Sequence, residues 1–304
     1  MSGPNEGATS GATMRWLLLG TMALWGANLS VVKLLVSRYD TMAVATLRMI
    51  VAGLALIALL HWRGRHWPRL TRSQALTLGV CAVLMVYLNQ IVFTEGIART
   101  TAANAALIIA LNPLISALMA AALLGDRLTP ARIGGVVLGF GGVAMVVLNR
   151  PGAALGSGSL GDLLVLGSVL SWVSGGVLVQ RLARQLDSVV ISTVVHAMGA
   201  VMLMLHMALR PSPFGIAWAQ FTWAHGLLLM MSGLLATAAG ALVWNRALTT
   251  LGVARTSLYV YWVPIFGVGF AVLLLGEPLT GWHLAGLAAV LGGTWLGTRS
   301  PGRT

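Results

Sequence analysis

The chain has 304 residues, 58% of them hydrophobic and 9% charged, with a formal net charge of +12. Soluble domains carry about 25% charged residues, so this composition excludes an ordinary water-soluble domain and places most of the chain in lipid. The single cysteine, Cys81, lies in an apolar segment, which excludes disulfides and cysteine metal sites; the basic residues fall between apolar segments, so the positive charge is not a nucleic-acid footprint.

A helix that crosses a bilayer needs about 20 predominantly apolar residues, and the sequence predicts ten such segments. The polar stretch Met1 to Thr13 carries no cleavage signature, so the first segment reads as a retained anchor. Segment one, Met14–Val36, contains Trp25, Asn28 and, near its end, Lys33. Segment two, Thr41–Trp62, carries Arg48, and a basic loop with Arg63, Arg65, His66, Arg69 and Arg72 follows it. Segment three, Gln74–Gly96, contains Tyr87, Asn89 and Gln90. Segment four, Ala103–Leu124, contains Asn112-Pro113, and segment five is Ala131–Leu148. The stretch Asn149–Gly161, rich in Gly, Ser and Pro, reads as a linker. Segment six begins at Asp162 and includes Trp172. Segment seven, Val189–Leu209, contains His196. Segment eight, Trp223–Leu248, has Gly233, Thr237, Gly240 and Trp244 on one face. Segment nine, Ala254–Leu275, contains Tyr259, Trp262 and Pro264, and segment ten is Trp282–Gly297.

The chain repeats itself. Pro113 is followed by Gly125-Asp126-Arg127-Leu128-Thr129, and Pro264 by Gly276-Glu277-Pro278-Leu279-Thr280; both pairs of landmarks are offset by 151 residues. Leu166-Gly167-Ser168 with Trp172 echoes Leu19-Gly20-Thr21 with Trp25. A period this long predicts two equivalent halves rather than a solenoid: residues 14–148 and 162–298, joined by 149–161. Each half holds five segments, an odd number, so the second half enters the membrane the other way up. With the N-terminus inside, the inner loops and helix ends hold 13 basic residues and the outer ones 5, leaving Arg48 in the membrane. That bias predicts both termini in the cytoplasm. Inverted-topology repeats point to a secondary transporter, with its substrate at the midplane between them.

The pattern of a proline, eleven residues, Gly-acid-x-Leu-Thr, preceded by Ile97-Ala98-Arg99-Thr100-Thr101-Ala102-Ala103 or by Leu248-Thr249-Thr250-Leu251-Gly252-Val253-Ala254, resembles the EamA-type repeat of the drug/metabolite transporter superfamily. Length and aromatic content look closest to the YddG-type amino-acid exporters. The resemblance implies an all-α membrane protein: ten transmembrane helices, two five-helix inverted-topology repeats around a central cavity. It implies that helices one, three, four, six, eight and nine line that cavity.

Other motifs carry less. Gly156-x-Gly158-x-x-Gly161 has no strand before it and reads as a flexible loop rather than a dinucleotide fingerprint. The only lysine, Lys33, lacks the glycine run of a phosphate-binding loop, so the chain is not its own ATP-driven pump. His61 and His66 match no zinc spacing. No catalytic residues, metal or cofactor are expected.

The candidate substrate residues are Trp25, Asn28, Asn89, Asn112, Trp172, His196, Trp244, Tyr259 and Trp262. Tyr259, Trp262, Phe266 and Phe270 recur at helical spacing, as a packing stripe or an aromatic wall that stacks on an apolar group or an ammonium. The amides Asn28, Asn89, Gln90 and Asn112 seek partners inside hydrocarbon, either neighbouring helices or substrate. Arg48 reads as snorkelling to the headgroups, pairing with Asp40 or Glu95, or binding a substrate carboxylate. His196 reads as a neutral histidine bonded to a neighbouring helix or as a titrating group. Pro113 and Pro264 are candidate gating hinges. The repeats Gly135-x-x-x-Gly139 and Gly293-x-x-x-Gly297 are expected to pack helices five and ten together rather than to dimerise the protein.

The functional expectation is a monomeric bacterial inner-membrane transporter, not an enzyme. It would export small metabolites, best suited to aromatic or neutral amino acids, by alternating access and as a facilitator, with the lipid bilayer and a small molecule as its partners and no nucleic acid. The alternative is efflux of drugs or quaternary cations.

Overall fold

The structure, a computed structural model, describes residues 11–64, 70–124, 129–149, 157–183, 185–210, 221–251 and 259–298. The first copy of the acidic turn, residues 125–128, most of the predicted linker, and part of the basic loop lie outside the described residues.

The described chain is helical, with no strand among those residues. In order it forms α1 (Gly11–Val36), α2 (Thr41–Trp62), α3 (Arg72–Ala82), a π-helical stretch (Val83–Leu88) and α4 (Asn89–Arg99). Then come α5 (Ala102–Ile109), α6 (Asn112–Leu124), α7 (Pro130–Leu148), α8 (Ser157–Leu182) and α9 (Ser188–Ala208). The remainder is α10 (Trp223–Met231), a second π-helical stretch (Ser232–Ala239), α11 (Gly240–Leu251), α12 (Trp262–Leu275) and α13 (Gly281–Thr298). Lipid offers no hydrogen-bond partners to the backbone, so helices that satisfy themselves are the form an apolar chain takes there. Six helical runs among the described residues are long and apolar enough to span a membrane: 12–36, 41–62, 72–99, 160–179, 189–208 and 223–244. Shorter apolar helices cover 102–116, 133–146 and 262–275.

Side chains start these helices by receiving otherwise unpaired N–H groups. Asp40 accepts from Ala43 N at 3.0 Å, Thr101 from Asn104 N at 3.0 Å, and Asp187 from Val189 N at 2.8 Å. At α3, Thr71 and Gln74 bond reciprocally as a capping box.

Glycines set the closest helix contacts. α7 packs along α13, where a Cβ on Gly293 would stand 2.6 Å from the Gly135 carbonyl oxygen and 2.6 Å from Gly139 N. A Cβ on Gly142 would meet the Gly286 carbonyl oxygen at 2.9 Å. Without a hydrophobic driving force between helices in lipid, backbone approach of this kind supplies the association. The glycine repeats therefore join α7 to α13, as the spacing predicts. Elsewhere α1 packs on α12, α4 on α8, and α2 on α9.

Two predicted spans are interrupted. The fourth breaks at Ala110–Leu111, immediately before Asn112-Pro113, and the ninth at Val260–Tyr261, before Trp262-Val263-Pro264. A proline has no N–H for the carbonyl four residues back, and its ring collides with that carbonyl. Pro113 therefore cannot continue the ladder from Ile109, nor Pro264 from Val260. The breaks fall at matching places in the two repeats.

Candidate functional site

The interior polar side chains around Arg48 form a connected chain: Asn28, Ser232, Arg48, Gln90 and Asn89, ending on the Ser168 carbonyl. Arg48, on α2, is 3% exposed. Its Nε–H donates to Ser232 Oγ at 2.6 Å, and an Nη1–H donates to Gln90 Oε1 at 3.3 Å. Ser232 Oγ in turn donates to Asn28 Oδ1 at 2.5 Å. Gln90 Nε2 donates to Asn89 Oδ1 at 3.0 Å, and Asn89 Nδ2 to the Ser168 carbonyl at 2.8 Å. This network joins α1, α2, α4, α8 and the start of the second π-helical stretch.

Both π-helical stretches adjoin it. Val83–Leu88 directly precedes Asn89 and Gln90, and Ser232–Ala239 begins at Ser232. π-helical turns widen the helix and recur at functional sites. Here the second one also presents a carbonyl: Trp25 Nε1–H donates to Ala236 O at 2.8 Å. Gly240 leaves room for that indole, since a Cβ there would stand 2.6 Å from Trp25 Nε1. Gly233 permits α2 to approach, because a Cβ on it would lie 2.8 Å from the Arg48 carbonyl oxygen.

Beside the polar chain lies an aromatic cluster. The rings of Trp25 and Trp244 are 5.7 Å apart at 39°. Tyr259, Val260 and Phe266 pack with them against Met22 and Val263. Trp262 joins the edge of the cluster through Phe266, with centroids 5.8 Å apart, and Phe266 continues to Phe270 at 6.5 Å. Of the stripe predicted along the ninth span, Trp262, Phe266 and Phe270 form a run of ring contacts, while Tyr259 lies before the break and packs into the same cluster. Trp25 and Asn28 are one turn apart on α1, and they bond to Ala236 and Ser232, one turn apart on the facing helix. The aromatic cluster and the polar chain thus adjoin within about 5 Å, one helical pitch.

The structure brings together Trp25, Asn28, Asn89, Trp244, Tyr259 and, at the rim, Trp262. Among the described residues no hydrogen bond or ring contact ties Asn112, Trp172 or His196 to them. Asn112 is half-buried at the break before α6. Trp172 is 38% exposed on α8, whose neighbouring Ser171 faces the Leu84 carbonyl at 2.6 Å. His196 is buried where α9 meets α2, and its Nδ1–H donates to the Ser192 carbonyl of its own helix at 2.8 Å. Arg48 neither snorkels nor pairs with Asp40 or Glu95. Asp40 binds Arg210 at 2.7 Å, and Glu95 binds Arg99 and Thr41. Ser232 is the participant that sequence reasoning missed, and Gln90 gains a role as the orienting partner of Arg48.

At one end of the bundle the second acidic turn acts on the other half of the chain. Gly276 ends α12 in the left-handed conformation, with φ 64°, which a residue without a Cβ adopts freely. The turn aims Glu277 at the start of α5, where its carboxylate accepts from Ala102 N at 2.8 Å and Ala103 N at 2.9 Å. Nearby, Lys33 Nζ donates to the last carbonyls around α4: Ile97 at 2.9 Å, Ala98 at 3.2 Å and Thr100 at 2.5 Å. An anion at a helix N-terminus and a cation at a C-terminus both match the helix dipoles.

Comparison with known proteins agrees with this architecture. The model of the EamA-like transporter family matches residues 13–148 and 159–299. The uncharacterized transporter YyaM of Bacillus subtilis is 27% identical, over 90% of this chain and 90% of its own length. A probable terminal-alkyne amino-acid exporter of Streptantibioticus cattleyicolor is 26% identical, over 92% of each chain. A solved crystal structure superposes with a TM-score of 0.67 at 20% identity, covering 93% of this chain and 95% of the other, a likeness of fold.

Proposed function

The chain belongs to the EamA-like transporter family, and from that premise we propose that it exports small amphipathic metabolites, in particular aromatic or neutral amino acids, across the bacterial inner membrane. Ten spanning helices in two inverted five-helix halves, residues 14–148 and 162–298, would place the network and the aromatic cluster between the halves. Both termini would be cytoplasmic, and the Glu277 end would then face outward.

The observation that carries this reading is the juxtaposition of the Trp25–Trp244 pair with the Asn28–Ser232–Arg48 chain. Apolar rings beside a few convergent polar groups suit a molecule with one apolar and one polar end. The amino-acid exporter among its relatives supports the same class. Trp25, Asn28, Asn89, Trp244, Tyr259 and Trp262 would contact substrate first. Asn112, Trp172 and His196 would come into play only in another conformation. Export follows the solute's own gradient, because no carboxylate among the described residues joins the polar chain. Efflux of quaternary cations is the second reading, favoured by the aromatic walls and opposed by the buried positive charge of Arg48.

Thermal stabilisation of the purified protein tests this reading. Phenylalanine and tryptophan should raise the unfolding temperature, and Trp25→Ala or Trp244→Ala should weaken binding several-fold, as loss of a ring contact worth about 0.5–1.5 kcal/mol implies. Stabilisation by tetraalkylammonium ions and by no amino acid would favour the second reading.

A further inference from the structure

We propose that Arg48 receives the carboxylate of the transported solute, so that the substrate class is a monocarboxylate with an adjoining apolar group; this rests on the transport reading above. A guanidinium stays charged in proteins. Taking such a charge out of water costs several kcal/mol unless it is paired, and charged residues inside membrane segments are functional by default.

The groups that hold Arg48 orient it without neutralising it. Ser232, Gln90 and, behind them, Asn28 and Asn89 are all uncharged. The described carboxylates are engaged elsewhere. Asp40 binds Arg210, Glu95 binds Arg99, and Asp162 accepts from Thr100. Asp187 caps α9, and Glu277 caps α5. Among the described residues Arg48 makes no ion pair.

Two of its five N–H groups are bonded, Nε–H and one on Nη1. Both hydrogens on Nη2 and one on Nη1 have no protein acceptor among the described residues. A planar fork with donors to spare matches a carboxylate in two-point contact. The two bonded groups fix the plane of the guanidinium, and the Trp25–Trp244 pair lies a helical turn from its partners Ser232 and Asn28, placed to take the apolar end. The small residue Gly233 keeps α2 close enough for Ser232 to reach Nε.

Proteoliposome counterflow with four labelled solutes of one shape tests the proposal: phenylalanine, its carboxamide, phenethylamine and 3-phenylpropionate. The wild-type protein should move the carboxylates at least tenfold faster than the carboxamide or the amine. Gln90→Glu gives Arg48 a resident counter-ion without changing side-chain length, and it is expected to fold. It should lower the carboxylate-to-carboxamide ratio by tenfold or more. An equal rate for acid and carboxamide in the wild type, or an unchanged ratio in Gln90→Glu, overturns the proposal. Movement of 3-phenylpropionate without phenylalanine refutes the amino-acid reading while supporting the carboxylate anchor. Movement of the amine alone refutes both.

Discussion

The carboxylate of Glu277 holds the first two N–H groups of α5, with Ala102 N at 2.8 Å and Ala103 N at 2.9 Å. This gives a physical reason for the Gly-acid pair of the second copy: Gly276 turns the chain out of α12, and Glu277 caps a helix in the opposite half. It ties the two halves at that end of the bundle, while Lys33 on the α4 carbonyls joins α1 to α4 within the first half. Removing a helix N-terminal cap costs about 0.5–2 kcal/mol. Glu277→Ala should therefore lower the unfolding temperature and increase reaction of a cysteine placed at Ala103 with an impermeant thiol reagent. Unchanged reactivity would mean that the contact does not hold that end closed.

The α7–α13 seam makes a prediction about oligomers. Gly293→Leu would push a branched side chain onto Gly135 and Gly139, and overpacking of this kind costs about 1–3 kcal/mol. The variant should unfold earlier while the purified protein stays monomeric in light scattering. A wild-type dimer that Gly293→Leu dissociates would instead assign the glycine stripe to an interface between copies.

We propose that the paired breaks before Pro113 and Pro264 act as joints, one in each half. Alternating access through rocking halves needs such joints. Pro264→Ala restores the missing donor, so it should bind substrate normally and transport more slowly in single-turnover measurements. Normal transport would show that the break is static.

Sidedness is tested with cysteines at Ser73 and Ser157, which an odd number of spans separates in the inverted arrangement. An impermeant maleimide should label them from opposite faces of sealed vesicles. The native Cys81 is buried and does not interfere. Labelling of both from one face would remove the inverted repeat.

Much of this architecture was legible in the chain itself. The apolar segments, the proline breaks and the Gly135/Gly139–Gly293 seam follow from residue type and spacing, because lipid leaves the backbone few options and small residues mark where helices touch. The polar chain was legible only in part. Asn28 and Asn89 announce themselves as amides in hydrocarbon, but Ser232 is an ordinary serine until the π-helical stretch turns it toward Arg48. That stretch packs against Trp25 and α2, contacts that no local sequence pattern announces. Arg48 was ambiguous for a geometric reason: at about two turns from a helix end, an arginine reaches the surface as easily as the interior. The role of Glu277 was hidden because its partner is 175 residues away in sequence.

We propose that this protein carries amino acids down their own gradient. The direct measurement is labelled phenylalanine uptake into proteoliposomes that hold no internal substrate, with and without a pH gradient at zero membrane potential. Uptake should level off at the external concentration in both conditions, including in His196→Ala. Accumulation above that concentration, dependent on the pH gradient and lost in His196→Ala, would contradict the facilitator; absence of any amino-acid uptake alongside movement of quaternary cations would contradict the substrate.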